Sequence, residues 1–267
     1  MKINKSIKLL SALLVISMLS ISCGKDPVSS NGEPPKLPDL VQVQPDLSYF
    51  NDNNPKVAST NNFNQGKYTA LSLSIFTGLV NVYSGFFSGL ERDDAKFKDG
   101  RWVWEWSYGY GGESVSMKYT AEEKSNSTAW TMFWSYDYGQ GDKVTDYKVM
   151  VGEVANDGKS GSWTFNSLDE DSNNEVPALK TNWTKESDTK VELVTSFYDT
   201  DTGGLDEAYT YTQNGNIFSI KFISQHDSRD DIFVYWDTDA GTGYYQQGDN
   251  VSTRQCWDAS FNDVTCS

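Results

Sequence analysis

From Arg101 onward the chain alternates apolar and polar residues with a period of two, and that alternation leaves few folds open. The stretch "RWVWEWSYGYGG" (101–112) sets Trp102, Trp104, Trp106, Tyr108 and Tyr110 at every second position. A strand sends successive side chains to opposite faces, so these aromatics share one face. The other face takes Arg101, Val103, Glu105, Ser107 and Gly109. "TAWTMFWSYDYG" repeats the pattern with Trp130, Met132, Trp134, Tyr136 and Tyr138, and "SVSMKYTA" lies between the two. "DYKVMVGEV", "GSWTFN", "ALKTNWTK", "KVELVTSFYD", "EAYTYTQ", "NIFSIKFIS", "DDIFVYWDTD", "GYYQQG" and "STRQCWDA" follow, parted by turn material such as "YGQGD", "NDGKSG" and "QNGN". That spacing predicts about ten to twelve short strands. Asn214-Gly215 is a strong hairpin signal, because both residues tolerate positive φ. No helical segment between strands is long enough for a parallel crossover. The expected fold is therefore all-β: an antiparallel up-and-down barrel or half-barrel of about ten strands, with one N-terminal helix.

That helix is expected over 68–90, where Leu71, Ile75, Leu79, Val82 or Tyr83, Phe86 and Leu90 recur at spacings of three and four. Ahead of it, six of the seven prolines fall within residues 24–66. Proline-rich chain of this kind is extended and semi-rigid, which suits a tether. The piece "PDLVQVQPDLSYF" has enough apolar residues to dock on the domain. Residues 1–22 open with Lys2, Lys5 and Lys8 and continue in a mostly apolar run from Ile7 to Ile21. That run is short for a bilayer span and fits the apolar centre of a secretory signal. The division is thus a signal at 1–22, a tether at 23–66 and a β domain at 67–267.

The signal ends in "LSISCGK", with Ser22 directly before Cys23. This resembles the lipobox of bacterial lipoproteins, in which the cysteine thiol receives a diacylglycerol and becomes the first residue after cleavage. It departs from the usual pattern in having Ser20 three residues before the cysteine, with leucine one place further back. The resemblance implies acylation of Cys23, a palmitate-type anchor and a membrane partner met through acyl chains, each buried methylene adding roughly 0.8 kcal/mol. "CGKDP" also resembles the lysine-then-acid signals of Bacteroidota-type envelope lipoproteins, which implies the outer membrane. The helix-plus-sheet arrangement resembles lipocalin-like carriers in architecture alone.

If Cys23 is acylated, Cys256 and Cys266 remain, and two thiols in an oxidising compartment should pair. The expected product is a disulfide stapling a C-terminal hairpin around Phe261. The formal charge of −15, made more negative by removing three signal lysines, argues against nucleic acid, which selects cationic surfaces.

The aromatic face has three readings: a packed core, the wall of a cavity for a lipid-like ligand, or a stacking platform for sugars. The residues at stake are Trp102, Trp104, Trp106, Tyr108, Trp130 and Trp134. The acidic turns "YDTDTGGLDE" and "WDTDAGTG" are near-copies whose Asp-x-Asp spacing could hold a hard cation. Counted from Asp199 and Asp237, however, the twelfth residue is Thr210 or Gly248 where a calcium loop wants Glu, so hairpin turns are expected. "DEDSNNE" (169–175) fails likewise, with Lys180 at that position. No metal or cofactor is expected. His226 is the sole histidine, beside Asp227 and Arg229, and no nucleophile elbow, zinc helix or phosphate loop accompanies it. Glu105 is the best lone carboxylate for sugar chemistry, but period two turns it from the tryptophans. The expected function is a non-catalytic outer-membrane lipoprotein, binding an apolar or amphipathic ligand or serving as an envelope interaction module. The alternative is a cell-surface carbohydrate-binding module or glycoside hydrolase. A subunit of a surface complex is a third reading.

Overall fold

In the computed structural model, the structure describes residues 32–36, 44–53, 55, 61–74, 90–139, 143–169, 174–226 and 230–266. Fourteen strands form one antiparallel sheet whose spatial order is the sequence order. They are β1 (Lys96–Lys98), β2 (Arg101–Tyr110), β3 (Glu113–Glu123), β4 (Ser127–Asp137), β5 (Lys143–Ala155), β6 (Ser160–Leu168) and β7 (Glu175–Ser187). The rest are β8 (Lys190–Tyr198), β9 (Leu205–Asn214), β10 (Ile217–Ser224), β11 (Ile232–Asp237), β12 (Thr242–Gln247), β13 (Gln255–Trp257) and β14 (Asp263–Val264). The meander matches the expected class.

Strand number and closure do not match: there are fourteen strands rather than about ten, and β1 and β14 do not pair to close a barrel. The stretches read as strands map onto β2–β13. The two extra strands are the edges, three and two residues long, too short to show a period and too short to make a seam. Their side chains Lys96, Lys98 and Asp263 are charged, a common way of blunting a sheet edge.

One face of the sheet is buried and its side chains form a single cluster. The β4 row shows the alternation cleanly, with Trp130, Met132 and Trp134 buried and their neighbours partly exposed. The cross-strand rows alternate large and small. Trp102 faces Ala121, Ala121 faces Trp130, Trp130 faces Gly152, and Gly152 faces Trp163. A Cβ at Gly152 would lie 2.1 Å from Trp163 Cε3, and one at Gly161 would lie 2.4 Å from Trp183 Cζ2. Gly243 and its cross-strand partner Trp257 repeat the arrangement at 2.3 Å. The missing side chains let indoles lie where the next strand would otherwise push them off. Packing at interior density depends on such size matching.

Chain preceding β1 covers part of this face. Helix α1 (Ser48–Asp52) buries Tyr49 and Phe50, and helix α2 (Asn62–Leu73) buries Phe63, Gly66, Ala70 and Leu73. Phe50 packs on Trp236 at 4.9 Å between centroids and Phe63 on Trp257 at 5.8 Å. Asp46 N donates to Tyr211 Oη at 3.1 Å. The docking piece expected near Leu47–Phe50 is thus in the core, and the folded unit takes in residues that the sequence assigns to the tether. α2 begins at Asn62 rather than Tyr68, because the Asn61 side chain accepts from Asn64 N at 2.9 Å and caps it. Of the expected helical stripe, Leu71 packs against the core and Leu90 is buried; residues 75–89 lie outside the described residues, as do 1–31 with Cys23. The β9–β10 hairpin exists, but Asn214 pairs with Ile217, so its loop is Gly215-Asn216 with positive φ at Gly215. A glycine at the first loop position is what a type II′ turn requires.

Candidate functional site

The aromatic face of β2 passes from core to water along a single strand. Trp102 and Trp104 are buried, Trp106 is half-buried, and Tyr108 and Tyr110 are 63% and 80% exposed. The buried part is packed aromatic to aromatic. Trp104 and Trp130 stack at 6.0 Å, Phe97 meets Trp102 edge-on at 5.2 Å, and Trp106 meets Tyr119 edge-on at 5.7 Å. Trp104 Nε1 donates to the Glu91 carbonyl at 3.0 Å and Trp102 Nε1 to Glu123 at 3.4 Å. Trp134 is buried in the same cluster. Burial drives the Tyr119 hydroxyl well above the usual tyrosine range. Four of the six candidate side chains (Trp102, Trp104, Trp130 and Trp134) therefore belong to the core, leaving Trp106 at its border and Tyr108 outside it.

Where β2 outruns the core, its tip joins the ends of neighbouring strands to form an aromatic rim. Tyr108 faces Val115 on β3, and Val115 faces Tyr136 on β4. Tyr136 and Tyr138 hold their rings 5.0 Å apart. Beside them Ser114, Ser116, Ser135, Asp137, Lys143, Val144 and Thr145 line a shallow depression of about 260 Å³. Asp137 and Lys143 form an ion pair at 3.7 Å across its floor strands. Tyr136 is the one aromatic among these lining residues; Ser114, Ser116, Ser135, Asp137 and Lys143 alternate with the rim positions and share the opposite face of the sheet. Such a lining suits hydrogen bonds to a polar ligand, with Tyr136 at its border as the one ring.

The acidic turns use their carboxylates on their own backbone. Asp199 Oδ1 accepts from Asp201 N at 2.8 Å and Thr202 N at 3.2 Å. Asp237 Oδ1 accepts from Asp239 N at 2.9 Å and Ala240 N at 3.0 Å. The sequence repeat is thus a repeat of one turn geometry. The backbone donor at Asp201 leads in holding the Asp199 carboxyl below its ordinary range. Among the described residues no three His, Cys, Asp or Glu side chains converge as metal ligands. Residues 170–173 of the third acidic stretch lie outside them.

His226 Nε2 stands 2.6 Å from Asp206 Oδ1, with the histidine exposed and the aspartate partly buried. Asp227 and Arg229 lie outside the described residues. Glu105 is exposed on the face opposite the tryptophans, and its cross-strand neighbour Lys118 pairs with Asp146 at 2.8 Å.

Cys256 and Cys266 form a disulfide with Cα atoms 5.4 Å apart. It closes the β13–β14 hairpin as expected, and Phe261 occupies the turn with φ of +62°. That conformation is costly for a side chain with a Cβ. It is held because Phe261 packs on Phe63 at 4.5 Å, while Asp258 Oδ1 takes Ser260 N and Asn262 N at 2.9 Å each. The sequence reading missed Tyr49. Its hydroxyl accepts from Trp257 Nε1 and donates to the Gly241 carbonyl, both at 3.0 Å. Only the register of distant elements reveals this bridge. Also missed is an outward-facing ladder in which Tyr235 and Tyr244 stack at 5.3 Å and Arg254 lies 4.3 Å over Tyr244. Tyr235 and Tyr244 alternate with the buried residues of their strands, a signal the period itself carries.

No protein-family model matches the chain, and neither does any curated protein or solved structure.

Proposed function

We propose that this chain is a non-catalytic lipoprotein, acylated at Cys23 and held at the outer membrane, whose sheet domain is an envelope interaction module acting through the rim of Trp106, Tyr108, Tyr110, Tyr136 and Tyr138. One observation carries the reading: Tyr108 and Tyr110 continue the core face of β2 beyond the core, where they are mostly exposed. Large aromatics are enriched where proteins meet partners, since they bury much area at low entropic cost. An apolar or amphipathic ligand would meet this same rim, because Trp102, Trp104, Trp130 and Trp134 are buried in the core. Photo-crosslinking from position 110 in intact cells tests the module. A defined adduct that disappears on Tyr108→Ala supports the reading, and the absence of any adduct from positions 108, 110 and 138 removes it. Metabolic labelling with a clickable palmitate tests the anchor, with Cys23→Ala as the variant that must lose label.

Tyr136, which borders the polar depression and stands 5.0 Å from the ring of Tyr138, favours a second reading, a carbohydrate-binding surface. Affinity electrophoresis in envelope polysaccharides separates the two. Retardation that Tyr136→Ala abolishes would make the ligand a glycan.

A further inference from the structure

The first strand of the sheet leaves most of the second uncovered. β1 pairs with Arg101, Val103 and Trp102 alone, whereas β2 continues to Tyr110 and pairs with β3 along Trp102–Tyr110. Glu105, Ser107, Tyr108, Gly109 and Tyr110 are all exposed. The loops at both ends of β2 show which backbone groups are left open. Gly111-Gly112 is a two-residue loop with φ of +63° and +92°, so Tyr110 and Glu113 exchange both backbone bonds. Alternation then sends Tyr108 and Trp106 toward β3 as well. Asp99-Gly100, with φ of +52° and +81°, sets Lys98 against Arg101 in the same way, which turns Arg101 and Val103 toward β1. The two loops agree on parity. Glu105, Ser107 and Gly109 therefore aim their N–H and C=O groups out of the sheet, and among the described residues no strand lies beside them.

We infer that a second copy of this chain pairs here, β2 against β2 in antiparallel fashion. The inference rests on the interaction-module reading and names its partner. Residues 106–112, "WSYGYGG", hold none of the charges of a chain whose net charge is −15, so two copies can approach here without setting acid against acid. A two-fold axis through Tyr108 puts Ser107 opposite Gly109 of the second copy, each exchanging both backbone bonds. It sets Tyr108 opposite its own copy and Trp106 opposite Tyr110, all on one face. The exposed tyrosines become cross-strand aromatic pairs, Glu105 stays outside the paired stretch, and the incoming strand stops short of β1. The opposite edge of the sheet is not available for head-to-tail growth. β13 and β14 are three and two residues long and tied by the disulfide, with Asp258 directly after β13 and Asp263 within β14. An isologous contact of this kind closes as a dimer.

The test uses the full chain with Cys23→Ser, which cannot be acylated and leaves no free thiol once Cys256 and Cys266 are paired. Sedimentation equilibrium is expected to give a dimer. Tyr108→Cys is expected to add a disulfide across the two-fold axis, since the two Cβ atoms come close in a non-hydrogen-bonded pair. Gly109→Pro is expected to give a folded monomer that keeps the near-ultraviolet circular dichroism of the parent chain and loses any dependence of its melting midpoint on protein concentration. It removes an outward N–H and fills the edge with a ring, while a Cβ there meets only the Glu113 carbonyl at 3.4 Å and Ser114 Cβ at 3.9 Å. A monomer at every concentration overturns the proposal. So does a dimer that persists in both Gly109→Pro and Ser107→Pro, or a Tyr108→Cys crosslink no faster than one from Tyr138→Cys. If the chain is monomeric while position 110 still gives its Tyr108-dependent adduct, self-pairing falls and the interaction module stands.

Discussion

Trp163 occupies the space that a side chain at Gly152 would need: a Cβ built there meets Trp163 Cε3 at 2.1 Å and the Ser162 carbonyl oxygen at 2.6 Å. Gly152 also faces Trp130 on its other side, so the row sets a residue without a side chain between two indoles. Gly152→Ala should therefore destabilise the domain by about 3 kcal/mol, the upper range for overpacking a close-packed interior. A urea titration followed by tryptophan fluorescence reads this as a lower midpoint at unchanged slope. Gly109→Ala, on the open edge, should leave the midpoint in place.

This pairing also shows what the sequence could not tell. Period two is a property of single strands, so β2–β13 are legible as strands, and the buried face of β4 with them. In β5 the buried residues are Tyr147, Met150 and Val154, a shift of face that only its bulged pairing with β4 explains. Gly152 and Trp163 are not adjacent in any pattern, and only the β5–β6 register joins them. The same holds for Tyr49 and Trp257, which lie 208 residues apart. Asn61 was hidden because a capping asparagine in "STNNFNQ" looks like linker. The Asp199 and Asp237 turns were legible, since a short carboxylate reaches its own backbone wherever it stands. For the candidate site, alternation places five β2 aromatics on one face but says nothing of where that face leaves the core. That point depends on how far the strand overhangs what packs on it.

Tyr49→Phe should cost about 2 kcal/mol. It keeps the ring among Phe50, Phe63 and Phe261 but strands the buried Trp257 Nε1 donor and removes the partner of the half-buried Gly241 carbonyl. A buried polar group without a partner costs more than the hydrogen bond it lost. The thermal midpoint should fall while near-ultraviolet circular dichroism of the remaining tryptophans is kept.

The disulfide holds the strand that carries Trp257. Replacing both Cys256 and Cys266 by serine should remove about 3 kcal/mol in the chain-entropy account of a short closed loop. Hydrogen exchange should quicken first in β13 and β14, which pair with little else. Equal quickening across β4–β6 would mean that the staple acts on the whole sheet.

Tyr49, Tyr119, Tyr209 and Tyr211 all titrate above the ordinary tyrosine value of 10.0, chiefly because burial disfavours the phenolate; Tyr211 is pushed up to about 12. A group whose folded value is raised contributes stability that is intact below its unfolded value and is lost as pH climbs through the folded one. Stability should hold up to pH 10, then fall steeply toward pH 12. Tyrosinate absorbance and a urea midpoint measured across that window should move together. Full ionisation of all the tyrosines with the fold intact would contradict the burial of these hydroxyls.

Trp104 and Tyr110 sit on the same face of one strand, and their replacements should separate folding from function. Trp104→Ala removes a fully buried ring stacked on Trp130 and should cost about 4 kcal/mol, a large share of the ~5–15 kcal/mol that holds a domain together. Tyr108→Ala and Tyr110→Ala delete exposed rings and, at protein concentrations where the chain is monomeric, should change stability by no more than about 0.5 kcal/mol. If the rim is a binding surface, those two variants lose partner adducts in cells while melting like the parent chain at dilutions where it is monomeric. Loss of stability alongside loss of adducts would instead make the tyrosines part of the core. Stability and adducts both unchanged would leave the strand tip without a binding role.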